Sequence, residues 1–203
     1  SRVSRGLGDV YKRQPRLLVA DEVGVGKTIE AGLILKELSA RTSIKSVLII
    51  CPKALVAERK WELEMKRFGE SFVPLDGKTL RYCLKETEIE GHWPESYTKS
   101  IVPFSLFDSA LLHGEDSKNK SSKGLLSLST PPKFDLIIVD EAHNIRNKNT
   151  NLHQGVKFLC DHANAVVFLS ATPVQLGSSD LYTLLNVLRP ELIIDENSFH
   201  SMS

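Results

Sequence analysis

The chain has 203 residues, 41% apolar and 25% charged, with 26 Lys and Arg against 25 Asp and Glu for a net charge of +1. This balance excludes an intrinsically disordered chain and a protein that binds nucleic acid through overall basicity, so a nucleic-acid role has to come from local motifs. The longest apolar runs are strand-length, well short of the ~18 residues of a membrane-spanning helix, and the chain length suits one α/β domain burying roughly 70% of its unfolded surface. Cys51, Cys83 and Cys160 are widely spaced, without CxxC pairs or a preceding signal sequence, and read as reduced core residues of a soluble cytoplasmic protein with no membrane partner.

In chain order, residues 1–14, SRVSRGLGDVYKRQ, carry Arg2, Arg5, Lys12 and Arg13 without apolar periodicity. They read as a disordered or non-native arm resembling translated adapter sequence, a native basic arm being the alternative. From Arg16 onward, short apolar runs alternate with amphipathic segments, which predicts an α/β fold with a mainly parallel central sheet covered on both faces. Leu17 to Ala20 is a buried strand. Ala31, Ile34, Leu35 and Leu38 make a helical stripe, Ser46 to Cys51 a second strand, and Ala54, Ala57, Trp61, Met65 and Phe68 a second stripe. Thr79 to Cys83 and Ser100 to Pro103 are weaker strands. Gly114 to Lys133, rich in Lys, Ser and Pro without a period, is a surface loop. Leu136 to Asp140 and Ala165 to Ser170 are strands, and Leu181, Leu184, Leu185 and Leu188 form a last helical stripe closed by Pro190. There are no internal repeats.

Asp21-Glu22-Val23-Gly24-Val25-Gly26-Lys27-Thr28 lies between a buried strand and a helix, the context a phosphate-binding loop requires. Glycines let successive backbone N–H groups turn toward phosphate oxygens, and the following helix adds its positive end. Lys27 would then reach the β and γ phosphates of a nucleotide as a point charge, and the Thr28 hydroxyl would ligate Mg²⁺. Asp21 stands where the general pattern GxxxxGK[ST] has its first glycine. A plain strand-to-helix turn, in which Gly24 and Gly26 only permit unusual backbone angles, is the competing reading.

Asp140-Glu141-Ala142-His143 follows a buried strand, placing two carboxylates at the strand end where open α/β sheets bind ligands. Asp140 suits Mg²⁺ held through coordinated water, and Glu141 suits the general base that orients and deprotonates an attacking water. An acidic first turn of the next helix explains the same residues structurally. His143 takes a positioning role. Ser170-Ala171-Thr172-Pro173 supplies two hydroxyls after the last strand, and taken alone reads more readily as a helix-entry turn than as a site.

In their order, DEVGVGKTIEAGLI at 21–34, LIICPKALVAERKWELEMKRF at 48–68, LIIVDEAHNIRN at 136–147 and FLSATPVQ at 168–175 resemble motifs I, Ia, II and III of superfamily 2 helicase-like ATPases. The DExGxGKTIEAG form and Trp61 after motif Ia resemble the Swi/Snf-type branch of double-stranded DNA translocases, with RNA polymerase-recycling helicase-like proteins of bacteria and phage-defence translocases among its members. The resemblance spans about residues 16–195 and implies a three-layer P-loop NTPase lobe of the RecA-like kind over 15–203. It further implies ATP and Mg²⁺ at Asp21 to Thr28, Asp140 and Glu141, with Ser170, Thr172 and His143 coupling this site to double-stranded DNA. Pro52, Lys53 and Ser105 would contact the DNA backbone, although Lys53, Arg59 and Lys60 read equally as a solvated helix face. RNA polymerase or a phage-defence complex would be the larger partner. The glutamine-containing adenine-recognition element of the family falls where residues 1–14 stand, so no residue is assigned to adenine. Motifs IV to VI and the arginine finger of a second RecA-like lobe lie outside these 203 residues. The expectation is a fragment that binds ATP but hydrolyses it very slowly, since an arginine finger contributes ~10³–10⁵ in rate. A non-catalytic nucleotide-binding module and a nucleic-acid-binding protein without motor function are the competing classes.

Overall fold

The computed structural model describes residues 15–20, 26–170 and 177–188. Its strands form at the unbroken apolar runs: β1 (Arg16–Ala20), β2 (Val47–Cys51), β4 (Lys99–Pro103), β7 (Leu136–Val139) and β8 (Ala165–Ser170). With the short β3 (Val73–Pro74) they make a six-stranded sheet in the order β1-β8-β7-β2-β4-β3, parallel at every pairing. Every residue of β2, β7 and β8 is buried. A strand apolar at every position is stable only with both of its faces covered, and parallel pairing supplies that cover because each return connection crosses over a face.

The side-chain alternation of the strands assigns the two faces. Leu48, Ile50, Val102, Ile137, Val139, Val166 and Phe168 pack in one cluster. Their partners come from α4 (Gly77–Glu90), α5 (Ser109–His113), α6 (Asn151–Asp161) and α7 (Ser178–Leu188). Val47, Ile49, Cys51, Ile101, Leu136, Ile138, Val167 and Leu169 form the other cluster. There they meet α1 (Lys27–Arg41) through Ala31, Leu35 and Leu38, and α3 (Lys60–Arg67) through Trp61 and Met65. Each fully buried Leu, Ile, Val or Phe contributes about 1.5–3 kcal/mol relative to its exposed state, so these two layers dominate the stabilisation. The result is the expected three-layer α/β lobe. Among the described residues, no helix is long and apolar enough to cross a membrane.

The edge strand β1 is tied down by a polar anchor. The Arg16 guanidinium donates to the carbonyls of Cys160 and Ala163 at 2.9 Å each and to that of Leu188 at 3.3 Å, tying β1 to the carboxyl ends of α6 and α7. Cys51, Cys83 and Cys160 are all free and buried.

Three expectations are corrected. Thr79 to Cys83 is not a strand but part of α4, whose buried Leu80, Cys83, Leu84 and Thr87 recur at helical spacing. The helix starts where the Asp76 carboxylate accepts a hydrogen bond from the Thr79 amide, and it stops at left-handed Gly91. The stripe from Ala54 to Phe68 is not one helix. It is α2 (Lys53–Ala57) and α3, parted by Arg59 in the left-handed conformation, so that Ala54 and Ala57 face solvent while Trp61 and Met65 are buried. In the stretch 114–133, expected as a loop, β5 (Gly114–Ser117) and β6 (Lys120–Lys123) pair as an antiparallel hairpin, and Leu125 and Leu128 enter the core. Short α5 was not foreseen, and neither was α6. The N-cap of α6, Thr150, accepts from the His153 amide. Residues 1–14 and Pro190 lie outside the described residues.

Within α6, Gly155 is a close-approach position, because a Cβ there would stand 2.5 Å from Cδ1 of buried Phe107 and 3.3 Å from Leu112. Helix propensity alone would make Gly155→Ala stabilising by about 1 kcal/mol. Overpacking costs about 1–3 kcal/mol where the neighbours cannot retreat, and Phe107 is itself core. Gly155→Ala should therefore lower the urea midpoint at unchanged m-value. A raised midpoint would show that the α6–Phe107 contact yields freely.

Candidate functional site

Because the sheet is wholly parallel, every strand presents its carboxyl end at the same edge. Ala20 of β1 lies opposite Ser170 of β8, Phe168 of β8 opposite Val139 of β7, and Val139 opposite Ile50 of β2. Cys51 of β2 lies opposite Pro103 of β4. At or past these strand ends stand Gly26–Thr28, Ser170 (the last residue of β8), Asp140–His143, Pro52–Lys53 and Ser105. Sequence-predicted residues scattered over 145 positions are thereby gathered along one edge. Asp21, Glu22, Val23, Gly24, Val25 and Thr172 lie outside the described residues.

At the start of α1, Gly26 adopts φ 108°, a left-handed backbone that suits glycine, and no side chain caps the helix. Lys27 and Thr28, the first two helical residues, are each only 7% exposed. No carboxylate among the described residues forms an ion pair with Lys27. A buried ammonium at an uncapped helix N-terminus needs a counter-charge, and the combination fits an anion such as a phosphate chain.

Asp140 is 5% exposed and is held at both oxygens. The indole Nε1 of Trp61 donates to Oδ2 at 2.9 Å, and the Glu141 amide donates to Oδ1 at 2.8 Å. The Asp140 amide continues the sheet ladder by donating to the Ile50 carbonyl at 2.8 Å. A carboxylate can accept about four hydrogen bonds, so this one, orientationally locked, keeps acceptor capacity for a metal-bound water. Cys51 lies beside it, and burial, then the Asp140 charge, push the Cys51 thiol up to about 12.

Glu141 sits in the left-handed region at φ 49°, ψ 47°, a backbone that costs a non-glycine residue about 1–2 kcal/mol. The turn is enforced from below, because Ala142 and Ile145 of the following 3₁₀ turn are fully buried. It aims the carboxylate so that Oε2 lies 3.4 Å from Nε2 of His143, whose Nδ1 is 3.5 Å from the Ser170 hydroxyl, the outer limit of a hydrogen bond. Glu141, His143 and Ser170 thus form a line from the end of β7 to the end of β8. Two further residues support it without having been foreseen from sequence. One is Trp61, visible beforehand only as a core residue. The other is His153 on α6, whose Nδ1 donates to the Ile145 carbonyl at 2.7 Å and so fixes the end of the 3₁₀ turn.

Pro52 is half-buried, whereas Lys53 and Ser105 are exposed at the same edge, on the far side of Asp140 from Lys27 in strand order. They form a separate part of the edge, two and three strands from β8.

A family model described as SNF2-related domain matches residues 7–203. The fold is similar to that of the Sulfolobus solfataricus SWI2/SNF2 ATPase core in complex with dsDNA, at 21% identity and TM-score 0.62, covering 96% of this chain and 37% of that one. It is also similar to the Sulfolobus solfataricus SWI2/SNF2 ATPase core domain, at 21% identity and TM-score 0.59, covering 97% of this chain and 35% of that one. The chain therefore spans little more than a third of the length of either structure.

His153 gives the turn a pH signature. Burial lowers its pKa from the ordinary 6.5, opposed by the hydrogen bond to Ile145 and assisted by Lys157 and Lys148. The folded state then binds fewer protons than the unfolded one, so this contribution is complete above pH ~6.5 and is lost as pH falls below it. The urea midpoint should drop between pH 7 and 5.5, and His153→Gln, which still donates to a carbonyl but does not titrate, should drop less. Equal losses in the two proteins would remove His153 as the cause.

Proposed function

The chain belongs to the SNF2-related domain family, and from that premise we propose that it is the ATP-binding RecA-like lobe of an ATP-driven, helicase-like translocase on double-stranded DNA. The observation that carries the proposal is the meeting, at one sheet edge, of an uncapped helix start bearing buried Lys27 with a doubly anchored Asp140 and a strained Glu141. Each half alone has a structural explanation. Together they supply counter-charge for phosphates, a hard-oxygen site for a divalent cation and a base one residue further on.

In this reading the first-turn amides of α1 and the Lys27 ammonium bind the phosphates of ATP, Lys27 acting on the β and γ groups. Thr28 and Asp140 are the residues that would hold Mg²⁺, Asp140 through coordinated water. When bound, the ion neutralises charge building on the phosphoryl oxygens, which is most of what phosphoryl transfer requires. Glu141 orients the attacking water and takes its proton. His143 and Ser170 sense the state of Glu141 and relay it across β8, with Thr172 completing the relay. Lys53, Pro52 and Ser105 face the DNA backbone, and the exposed ammonium and hydroxyl on that part of the edge support this placement. A second RecA-like lobe supplies the arginine finger, so that these 203 residues alone bind Mg·ATP while turning it over ~10³–10⁵ more slowly than the two-lobe protein.

Calorimetry of the 203-residue chain with Mg·ATP tests the site. Lys27→Ala removes charged hydrogen bonds of about 1.5–3 kcal/mol, an expected loss of roughly 10–100-fold in affinity, whereas Glu141→Gln should bind as the parent does. In a two-lobe protein carrying this lobe, Glu141→Gln should abolish DNA-stimulated ATP hydrolysis while ATP binding persists. Unchanged affinity in Lys27→Ala contradicts the phosphate site, and unchanged turnover in Glu141→Gln contradicts the assignment of the base.

A further inference from the structure

The contact between Trp61 and Asp140 joins two parts of the molecule to which the proposed function gives different jobs. Trp61 is 1% exposed, Asp140 is 5% exposed, and the indole-to-carboxylate hydrogen bond is 2.9 Å long. A buried indole N–H needs an acceptor, and any backbone carbonyl would satisfy it. A buried carboxylate is a far more expensive partner, because its charge resists removal from water. The bond is therefore poorly explained as packing alone. It is well explained as a means of fixing a carboxylate that must itself be in place.

Two further observations point the same way. Among the described residues, the non-glycine residues with positive φ are Arg59, at 56°, and Glu141, at 49°. Arg59 is the residue that breaks α2 from α3 and starts the helix bearing Trp61, and Glu141 is the residue immediately after Asp140. Backbone strain thus flanks both members of the bond, as expected where the surroundings over-determine a geometry. Asp140 is also bound to the same unit through its backbone, since its amide donates to Ile50 of β2, the strand from which Pro52, Lys53 and α2 lead to Trp61.

Building on the nucleotide-site reading above, we infer that Trp61 is a positioning residue for Asp140, its indole N–H setting the orientation of the carboxylate that would receive the water of a bound Mg²⁺. The β2–α2–α3 unit then holds Asp140 by one main-chain and one side-chain hydrogen bond. A force applied at Pro52–Lys53, where that reading places DNA, reaches the metal carboxylate through this unit rather than only through the His143–Ser170 line.

The chain contains two tryptophans, and the second, Trp93, donates its indole N–H to the Tyr97 carbonyl at 2.8 Å, which makes it an internal reference. In the ¹⁵N-labelled 203-residue chain, the Trp61 indole resonance should shift on titration with Mg·ATP but not with ATP in chelator, while that of Trp93 stays in place. Trp61→Phe keeps an aromatic ring and loses the donor, and should weaken Mg²⁺ binding to the ATP-loaded chain by about 10-fold while leaving metal-free ATP affinity unchanged. Met65→Ala, which empties a fully buried site on the same helix, should lower stability and leave Mg²⁺ affinity as it was. If Mg·ATP binds and the Trp61 resonance does not move, or if Trp61→Phe and Met65→Ala weaken Mg²⁺ equally, Trp61 is a packing residue and the inference fails alone. If the parent chain shows no Mg²⁺-dependent ATP binding, the nucleotide reading fails and takes the inference with it. The indole readout uses the unmodified sequence, so it decides the matter even where Trp61→Phe does not fold.

Discussion

The central strands β7 and β8 are buried at every position, and that single property propagates through the molecule. A strand without a polar face has to be covered on both sides, so each connection to the next strand crosses over the sheet and the strands run parallel. Parallel strands place all their carboxyl ends at one edge. Residues as distant in sequence as Lys27 and Ser170 therefore share an edge without any long loop having to bring them there. The outer layers follow from the same rule, with α1 and α3 covering one face and α4 to α7 the other.

Against that apolar background the few buried polar groups become informative. Lys27, Thr28, Asp140 and Ser170 are among the described polar residues under a tenth exposed, and all four stand at the carboxyl edge. Burying them costs stability that the apolar layers have to offset, and the strained backbone at Glu141 adds to the cost. At the opposite end of the sheet, Asp135 accepts hydrogen bonds from the amides of Lys45 and Ser46 and so ties the entry of β2 to that of β7. The two carboxylates that flank β7 thus differ: the one before it joins two strand entries, and the one after it is buried and held at both oxygens.

How much of this was legible in the sequence depended on range. The strands at 47–51, 136–139 and 165–170 were legible because burial on both faces leaves an unbroken apolar run that no other arrangement explains. Lys27, Thr28, Asp140 and Glu141 were legible because their chemistry is local, each set lying just past a strand. Thr79 to Cys83 misled because apolar Leu80 and Tyr82 alternate with polar Thr79 and Arg81 over a short window, while the helical spacing of Leu80, Cys83, Leu84 and Thr87 emerges only over a longer one. The break at Arg59 carries no glycine or proline to announce it. The bond from Trp61 to Asp140 spans 79 residues and exists only because β2 pairs with β7, so no local pattern could have disclosed it.

The central claim is that one edge of this sheet is a nucleotide site built from the start of α1 and the turn after β7. Amide hydrogen exchange on the 203-residue chain, with and without saturating Mg·ATP, tests it most directly. The account predicts slowed exchange at the amides of 26–30 and of 140–145, with the outer strand β3 and the hairpin β5–β6 unchanged. Protection confined to other parts of the chain, or equal protection by ATP with and without the metal, would contradict it.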